Sequence, residues 1–236
     1  MITPPNSFIA STASIVHLGA KPVFADVLDD QNIDPNEIKK KITRKTKAIM
    51  PVHLTGKPCK MDEIMQISKK FKIPVIEDAA QAIGTKFDNK LVGTFGEFGC
   101  FSAHPLKNLN AAGDGGYLIT NNKKMAKIAS LLRNHGIHKR NSIKYFGHVS
   151  RLDNLQAAIL NLRFKSLNKV IKNRRLNAKI YNEKLKDVKE IKLPLETNKE
   201  YSTYHTFVIQ AQNRDQLMKY LHKHGVETAI HYPYLI

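Results

Sequence analysis

Two loops of this sequence carry residue types that could do covalent chemistry. The first lies in Val75-Ile76-Glu77-Asp78-Ala79-Ala80-Gln81-Ala82-Ile83-Gly84, where an apolar run ends on two acids and small residues follow. Those small residues would let something flat and bulky approach. An acid at a strand end is commonly a helix cap or a solvated charge; it can also be a ligand contact, because ligands of open α/β sheets bind at the carboxyl ends of strands. The second is Gly99-Cys100-Phe101-Ser102-Ala103-His104-Pro105-Leu106-Lys107-Asn108, followed by Gly113-Asp114-Gly115-Gly116. The chain has 38 Lys and Arg residues, so residue type alone does not single out Lys107. Its surroundings do: it sits among small, aromatic and hydroxyl residues, where a lysine can be desolvated and become nucleophilic.

The elements that must position these loops read as an alternation of short β-branched runs and helical patterns, which argues for a mostly parallel sheet covered by helices. Pro22 to Asp26 reads as a strand. Asp34-Pro35-Asn36-Glu37 then supplies an N-cap, a proline at the first helical position and a capping-box acid for a helix towards Ile42. Lys47 to His53 is the next strand, Met61 to Phe71 the next helix, and Ile73 to Ile76 returns as a buried strand. Two further strands are expected at Phe98 to Ser102 and Tyr117 to Thr120. A helix with Met125, Ile128, Leu131 and Leu132 inward follows, with Gly136 as its stop. From about Arg151 the spacing of Leu152, Leu155, Ile159 and Leu162 predicts one long amphipathic helix running to Tyr181. Beyond Pro194 we expect a strand over Thr206 to Gln210, a helix capped by Asn213 or Asp215 and stopped by Gly225, and a strand over Val226 to Ile230. The organisation is α/β: a large unit over residues 1–150, then a linking helix and a smaller, incomplete α+β unit over 151–236.

With 236 residues, 42% of them hydrophobic, the chain can bury a sizeable core. It has no apolar run of the roughly 18 residues a bilayer span requires and no signal-peptide pattern at its start, so a cytoplasmic protein is expected. Cys59 and Cys100 form no C-x-x-C pair and read as two buried free thiols. The net charge of +18 would attract phosphates. The lysines, however, fall on what read as polar helix faces, as in Lys39-Lys40-Lys41 and Lys69-Lys70, and not in one block interleaved with aromatics. That distribution argues against nucleic acid as the main partner and suits a small anionic substrate equally well.

Asp78-Ala-Ala-Gln81, Phe-Ser102-x-His-Pro-x-Lys107-Asn and Gly-Asp-Gly-Gly, in this order, resemble the DegT/DnrJ/StrS family of aminotransferases, which have fold type I and depend on pyridoxal 5'-phosphate (PLP). Other stretches look like landmarks of the same family: Pro4-Pro5-Asn6-Ser7-Phe8, Gly19 to Val23, Pro51 to Gly56, Arg133 to Gly136, Ser150 to Ala158 and His231-Tyr232-Pro233. The resemblance implies transfer of an amino group, from glutamate, to a nucleotide-linked keto-sugar in surface polysaccharide or amino-sugar biosynthesis. It also implies a homodimer. In its terms Lys107 holds the cofactor and shuttles protons, and Asp78 meets the pyridine nitrogen. Gln81 lies near the ring hydroxyl, Phe8 stacks on the ring, Ser102 donates to the phosphate, and His53 and His104 join the substrate pocket. No metal is expected.

Two departures follow from the same resemblance. A Gly-Thr segment leading to a phosphate-binding helix precedes the position of Phe8 in the family, and the family pattern also runs on past Ile236, so the chain reads as truncated at both ends. Val149 stands where an asparagine usually reaches the neighbouring subunit's cofactor phosphate, and valine cannot donate that bond. These departures keep open a catalytically impaired homologue with a structural or weak cofactor-binding role. A PLP-dependent sugar dehydratase is a further alternative, but that branch has histidine in place of the lysine, and here Lys107 is present.

Overall fold

The structure, a computed structural model, describes residues 1–236. Its helices are α1 (Ile9–His17), α2 (Pro35–Lys41), α3 (Met61–Phe71), α4 (Lys123–Leu132), α5 (Asn154–Phe164), α6 (Leu167–Leu185) and α7 (Arg214–Lys223). Its strands are β1 (Ile2–Thr3), β2 (Val23–Phe24), β3 (Ile76–Asp78), β4 (Lys86–Phe87), β5 (Lys90–Leu91), β6 (Phe98–Ser102), β7 (Gly116–Ile119), β8 (Ile137–Lys139), β9 (Ser142–Ile143), β10 (Ile191–Lys192), β11 (Glu200–Tyr201) and β12 (Gln210–Ala211).

The central layer follows the expected parallel pattern. β2 pairs parallel with β1, Ile2 bridges Ile49, Ile49 bridges Val75, Val52 bridges Asp78, and β3 runs parallel to β6. Only the edge pair β6 and β7 is antiparallel. The stretch expected as a strand from Lys47 to His53 therefore joins the layer through isolated bridges. Pro51, which has no N–H to give, interrupts its ladder.

The main core lies between this layer and α2 and α3. Ile2, Ile38, Ile49, Met61, Ile64 and Val75 belong to one fully buried apolar cluster. α3 presents Met61, Ile64 and Ile67 inward, at the three-residue spacing of one helical face. α2 opens as expected on Asp34, whose carboxylate accepts from Asn36 N at 2.7 Å with Pro35 next to it. Glu37, expected to complete a capping box, instead pairs with Lys40 at 2.5 Å. Gly136, at φ +71°, closes the region after α4 by donating its N–H to Leu131 O at 2.8 Å.

Three expectations are corrected. The single long helix is two helices, α5 and α6, broken at Lys165–Ser166. The break lets Leu160, Leu167 and Ile171 converge on Ala103, Leu109 and Ala111 in one cluster, which a straight rod could not do. The strand expected at Thr206 to Gln210 pairs only from Gln210, where β12 meets β10 antiparallel, because Phe207 stacks on Tyr181 of α6 at 4.9 Å. Val226 to Ile230 forms no strand, having no neighbouring strand to pair with.

Ile49 is fully buried and bridges strands on both sides. Ile49→Ala should lower stability by about 2–5 kcal/mol, read as a shift in the urea midpoint with an unchanged slope.

Candidate active site

β3 ends on two acids, and the pleat sends adjacent side chains to opposite faces of the sheet. Glu77 is fully buried on one side. Its Oε1 accepts from Phe95 N and Gly96 N, each at 2.7 Å, and its Oε2 accepts from Gly93 N at 2.6 Å. His53 Nε2 lies 3.2 Å from the same Oε2. Burial alone would raise the Glu77 pKa, but the bond and charge of His53 and the backbone donors outweigh it and hold the group below the usual glutamate range. The loop can curl around the carboxylate because Gly93 adopts φ +83° and a Cβ on Gly96 would stand 2.4 Å from Val75 O.

His53 was expected in a substrate pocket, and the structure corrects this. The ring is fully buried, its Nδ1 accepts from Cys59 N at 3.0 Å, and Nε2 is thereby the proton-bearing nitrogen that faces Glu77. Both nitrogens are used and no face is open to a ligand. Of the two thiols expected to be free and buried, both are free; Cys59 is fully buried, and only Cys100 departs, being partly covered.

Asp78 points the other way. Its Oδ2 accepts from Ser11 Oγ at 2.7 Å and its Oδ1 from Ala80 N at 3.0 Å. On the following turn, buried Gln81 accepts through Oε1 from Thr55 N at 2.6 Å and donates through Nε2 to Tyr232 Oη at 2.8 Å. Thr55 makes its bond from a left-handed backbone, φ 60°, which is uncommon for a β-branched residue. Phe8, the exposed residue that opens α1, has its ring centroid 6.2 Å from that of Tyr232.

The lysine loop leaves the end of β6 beside these groups. Ser102 Oγ accepts from His104 N at 3.2 Å, and Lys107 N donates to His104 O at 2.9 Å. His104 itself is exposed, its Nδ1 accepting from Leu106 N at 3.2 Å. Buried Asn108 ties the loop to Thr203 O at 3.2 Å, and α5 holds its return limb through Gln156 Oε1, which accepts from Ala112 N at 2.8 Å, and Arg163, which donates to Asn110. Lys107 is half-buried. Burial lowers the pKa of its ammonium, and the nearby Asp78 charge offsets part of that fall.

Sequence reading missed Ser11, Thr55, His205, His231 and Tyr232 as members of this cluster. His205 Nδ1 is buried without a partner, and burial, with Lys107, Arg174 and His231 nearby, pushes its pKa down to about 3. His231 is lowered for the same reasons, burial first and then Lys107. His231 and Tyr232 stood in a recognisable motif. Nothing about Ser11 or His205 as residue types marked them.

The profile of the DegT/DnrJ/EryC1/StrS aminotransferase family matches residues 1–236. The chain belongs to this family. It is 40% identical over 236 residues to the Geobacillus stearothermophilus protein named pleiotropic regulatory protein, across 99% of this chain and 63% of that one. It is 42% identical over 234 residues to the dTDP-3-amino-3,6-dideoxy-alpha-D-galactopyranose transaminase of Aneurinibacillus thermoaerophilus, across 99% of this chain and 64% of that one. The S. venezuelae protein DesV, solved in complex with a ketimine intermediate, superposes with a TM-score of 0.96 at 33% identity, over 99% of this chain and 64% of that one. Bacillus subtilis NtdA, solved with bound cofactor PMP, superposes at 0.92 and 34% identity, over 99% of this chain and 55% of that one. These likenesses establish the fold type I aminotransferase architecture. The chain spans just under two thirds of the length of the curated relatives it matches.

The depressed Glu77 pKa carries a sign for stability. A carboxylate whose folded value lies below its unfolded value stabilises the protein above the unfolded value, and that contribution is lost as pH falls through the folded one. Glu77→Gln should therefore be destabilised near neutral pH and should lack this part of the parent's acid sensitivity. Urea midpoints measured between pH 7 and pH 3 would show parent and variant converging; curves that stay parallel would refute the assignment.

Proposed function

We propose that this chain carries the cofactor-binding core of a PLP-dependent aminotransferase that moves an amino group, from glutamate, onto a nucleotide-linked keto-sugar in surface polysaccharide or amino-sugar biosynthesis. The observation that carries the reading is the convergence of Asp78 and Gln81, from the loop after β3, with Lys107, from the loop after β6, beside the unpartnered Nδ1 of His205. This donor set fits PLP. It offers an amine at Lys107, a carboxylate at Asp78, a hydroxyl at Ser102 and an exposed aromatic ring at Phe8. The naming of the Aneurinibacillus relative as a dTDP-sugar transaminase and the PMP bound to NtdA support the substrate class and the cofactor.

When bound, PLP supplies an electron sink for negative charge at the carbon that gains or loses the amino group. The protein's part is to hold and move protons. Lys107, with its ammonium disfavoured by burial, gives a larger fraction of free amine than a surface lysine and would bind the cofactor covalently; once released, the same Nζ would accept and return the proton at the reacting carbon. Asp78 would hold the proton on the ring nitrogen. Ser102 Oγ accepts one backbone bond, and its own hydrogen would be donated to the phosphate. Phe8 would cover one ring face, and Gln81 would face the ring hydroxyl. His104 lies on the lysine loop and is exposed, where it would be open to a substrate. The amine at Lys107 favours transamination over the dehydratase reading, which calls for histidine there.

A homodimer is part of this proposal. Phe8 and the adjoining Ile9 of α1, Phe146 and Val149, and Leu155, Leu162 and Phe164 of α5 all expose large apolar surface, which a second copy would cover. No helix is long and apolar enough to cross a membrane, in keeping with a cytoplasmic site of action.

Titration of the purified chain with PLP should give a visible band that borohydride traps on Lys107 in peptide maps, that glutamate bleaches, and that Lys107→Ala lacks. No band from folded protein would defeat the proposal.

A further inference from the structure

Ser11 does something unusual for a helix serine. A serine inside a helix commonly bonds back to a carbonyl one turn earlier, and Ser14 does this, donating to Ser11 O at 2.9 Å. Ser11 instead sends its hydroxyl out of α1 to Asp78 Oδ2, 67 residues away in sequence, at 2.7 Å, and is itself only 5% exposed. The other oxygen of Asp78 is held by Ala80 N from its own loop. A carboxylate turns readily about its last single bond, and one donor leaves it free to swing. Two donors from different elements, one on each oxygen, fix its plane while leaving acceptor capacity on both oxygens. α1 thus contributes twice at one end: Phe8 opens it, and Ser11 lies in its first turn.

We propose that Ser11 is a positioning residue for Asp78, fixing the carboxylate plane so that it meets the ring nitrogen of PLP. This rests on the proposed function, and Ser11 acts only through Asp78.

The test uses the full chain and PLP. Ser11→Ala, Ser11→Thr and Ser11→Cys are compared with the parent by absorbance titration and by the pH midpoint of the visible band of the bound cofactor. Ser11→Ala should bind PLP about tenfold more weakly, as expected for losing a hydrogen bond to a charged group, and its midpoint should move. Ser11→Thr, which keeps the hydroxyl, should restore both values. If Ser11→Ala does not fold, Ser11→Cys, a near-isostere with a weak donor, reads the same two quantities. Binding and midpoint both like the parent's, or weaker binding with an unmoved midpoint, would overturn the role. A folded parent that binds no PLP defeats the proposed function and this inference with it, an outcome distinct from a binding parent with an unaffected Ser11 variant.

Discussion

The fold's candidate chemistry hangs on one buried carboxylate. Glu77 gathers three backbone N–H groups of the 93–96 loop and the imidazole of His53, tying that loop to the segment that runs beside β3. An ionised carboxylate in such a place is tolerable only when its oxygens are fully supplied with donors, and removal of one donor costs far more there than on the surface. Because Glu77 is locked to one face, the pleat commits Asp78 to the other, where Ser11, Ala80 and the lysine loop stand. Two adjacent acids of the same charge are thereby given unrelated jobs, one structural and one facing the site.

Lys107 shows how a strand end and a helix pair together set the properties of one amine. β6 delivers the loop and Asn108 anchors it to Thr203. The break between α5 and α6 brings Leu160 and Leu167 onto the apolar floor formed by Ala103, Leu109 and Ala111. Burial lowers the ammonium's proton affinity while Asp78 limits the fall. The neighbouring imidazole of His205 is pushed to about 3 and stays neutral at physiological pH, so it adds no positive charge beside the amine.

The tail is fastened by charge as well as by packing. Buried Lys57 donates to Glu200 Oε2 at 2.8 Å and to Leu195 O at 2.6 Å, with Asp30 4.0 Å away. Arg175 of α6 makes paired bonds to both oxygens of Glu196, and its guanidinium lies 3.9 Å from the ring centroid of Tyr201. The planar fork suits both contacts at once, which a lysine could not match. These contacts hold the 195–205 segment in place, and that segment brings His205 to Lys107.

By itself the sequence determined whatever depends on local pattern and ordered motifs. Asp34-Pro35 started a helix, the apolar spacing of Met61, Ile64 and Ile67 set an inward face, and β-branched runs gave the strands of a parallel layer. The spaced Asp78-x-x-Gln81 and Ser102 to Lys107 motifs pointed to the family and to the loops that carry the site. Local pattern could not decide which of two adjacent acids faces the lysine loop, nor that a histidine in a landmark motif is buried with both nitrogens occupied. Nor could it show that the helical run after Arg151 bends at Ser166, because apolar spacing continues across the break. Ser11 and His205 were equally invisible. Their significance lies in partners many residues distant, and only the folding of α1 and of the 195–205 segment onto the strand ends creates those contacts.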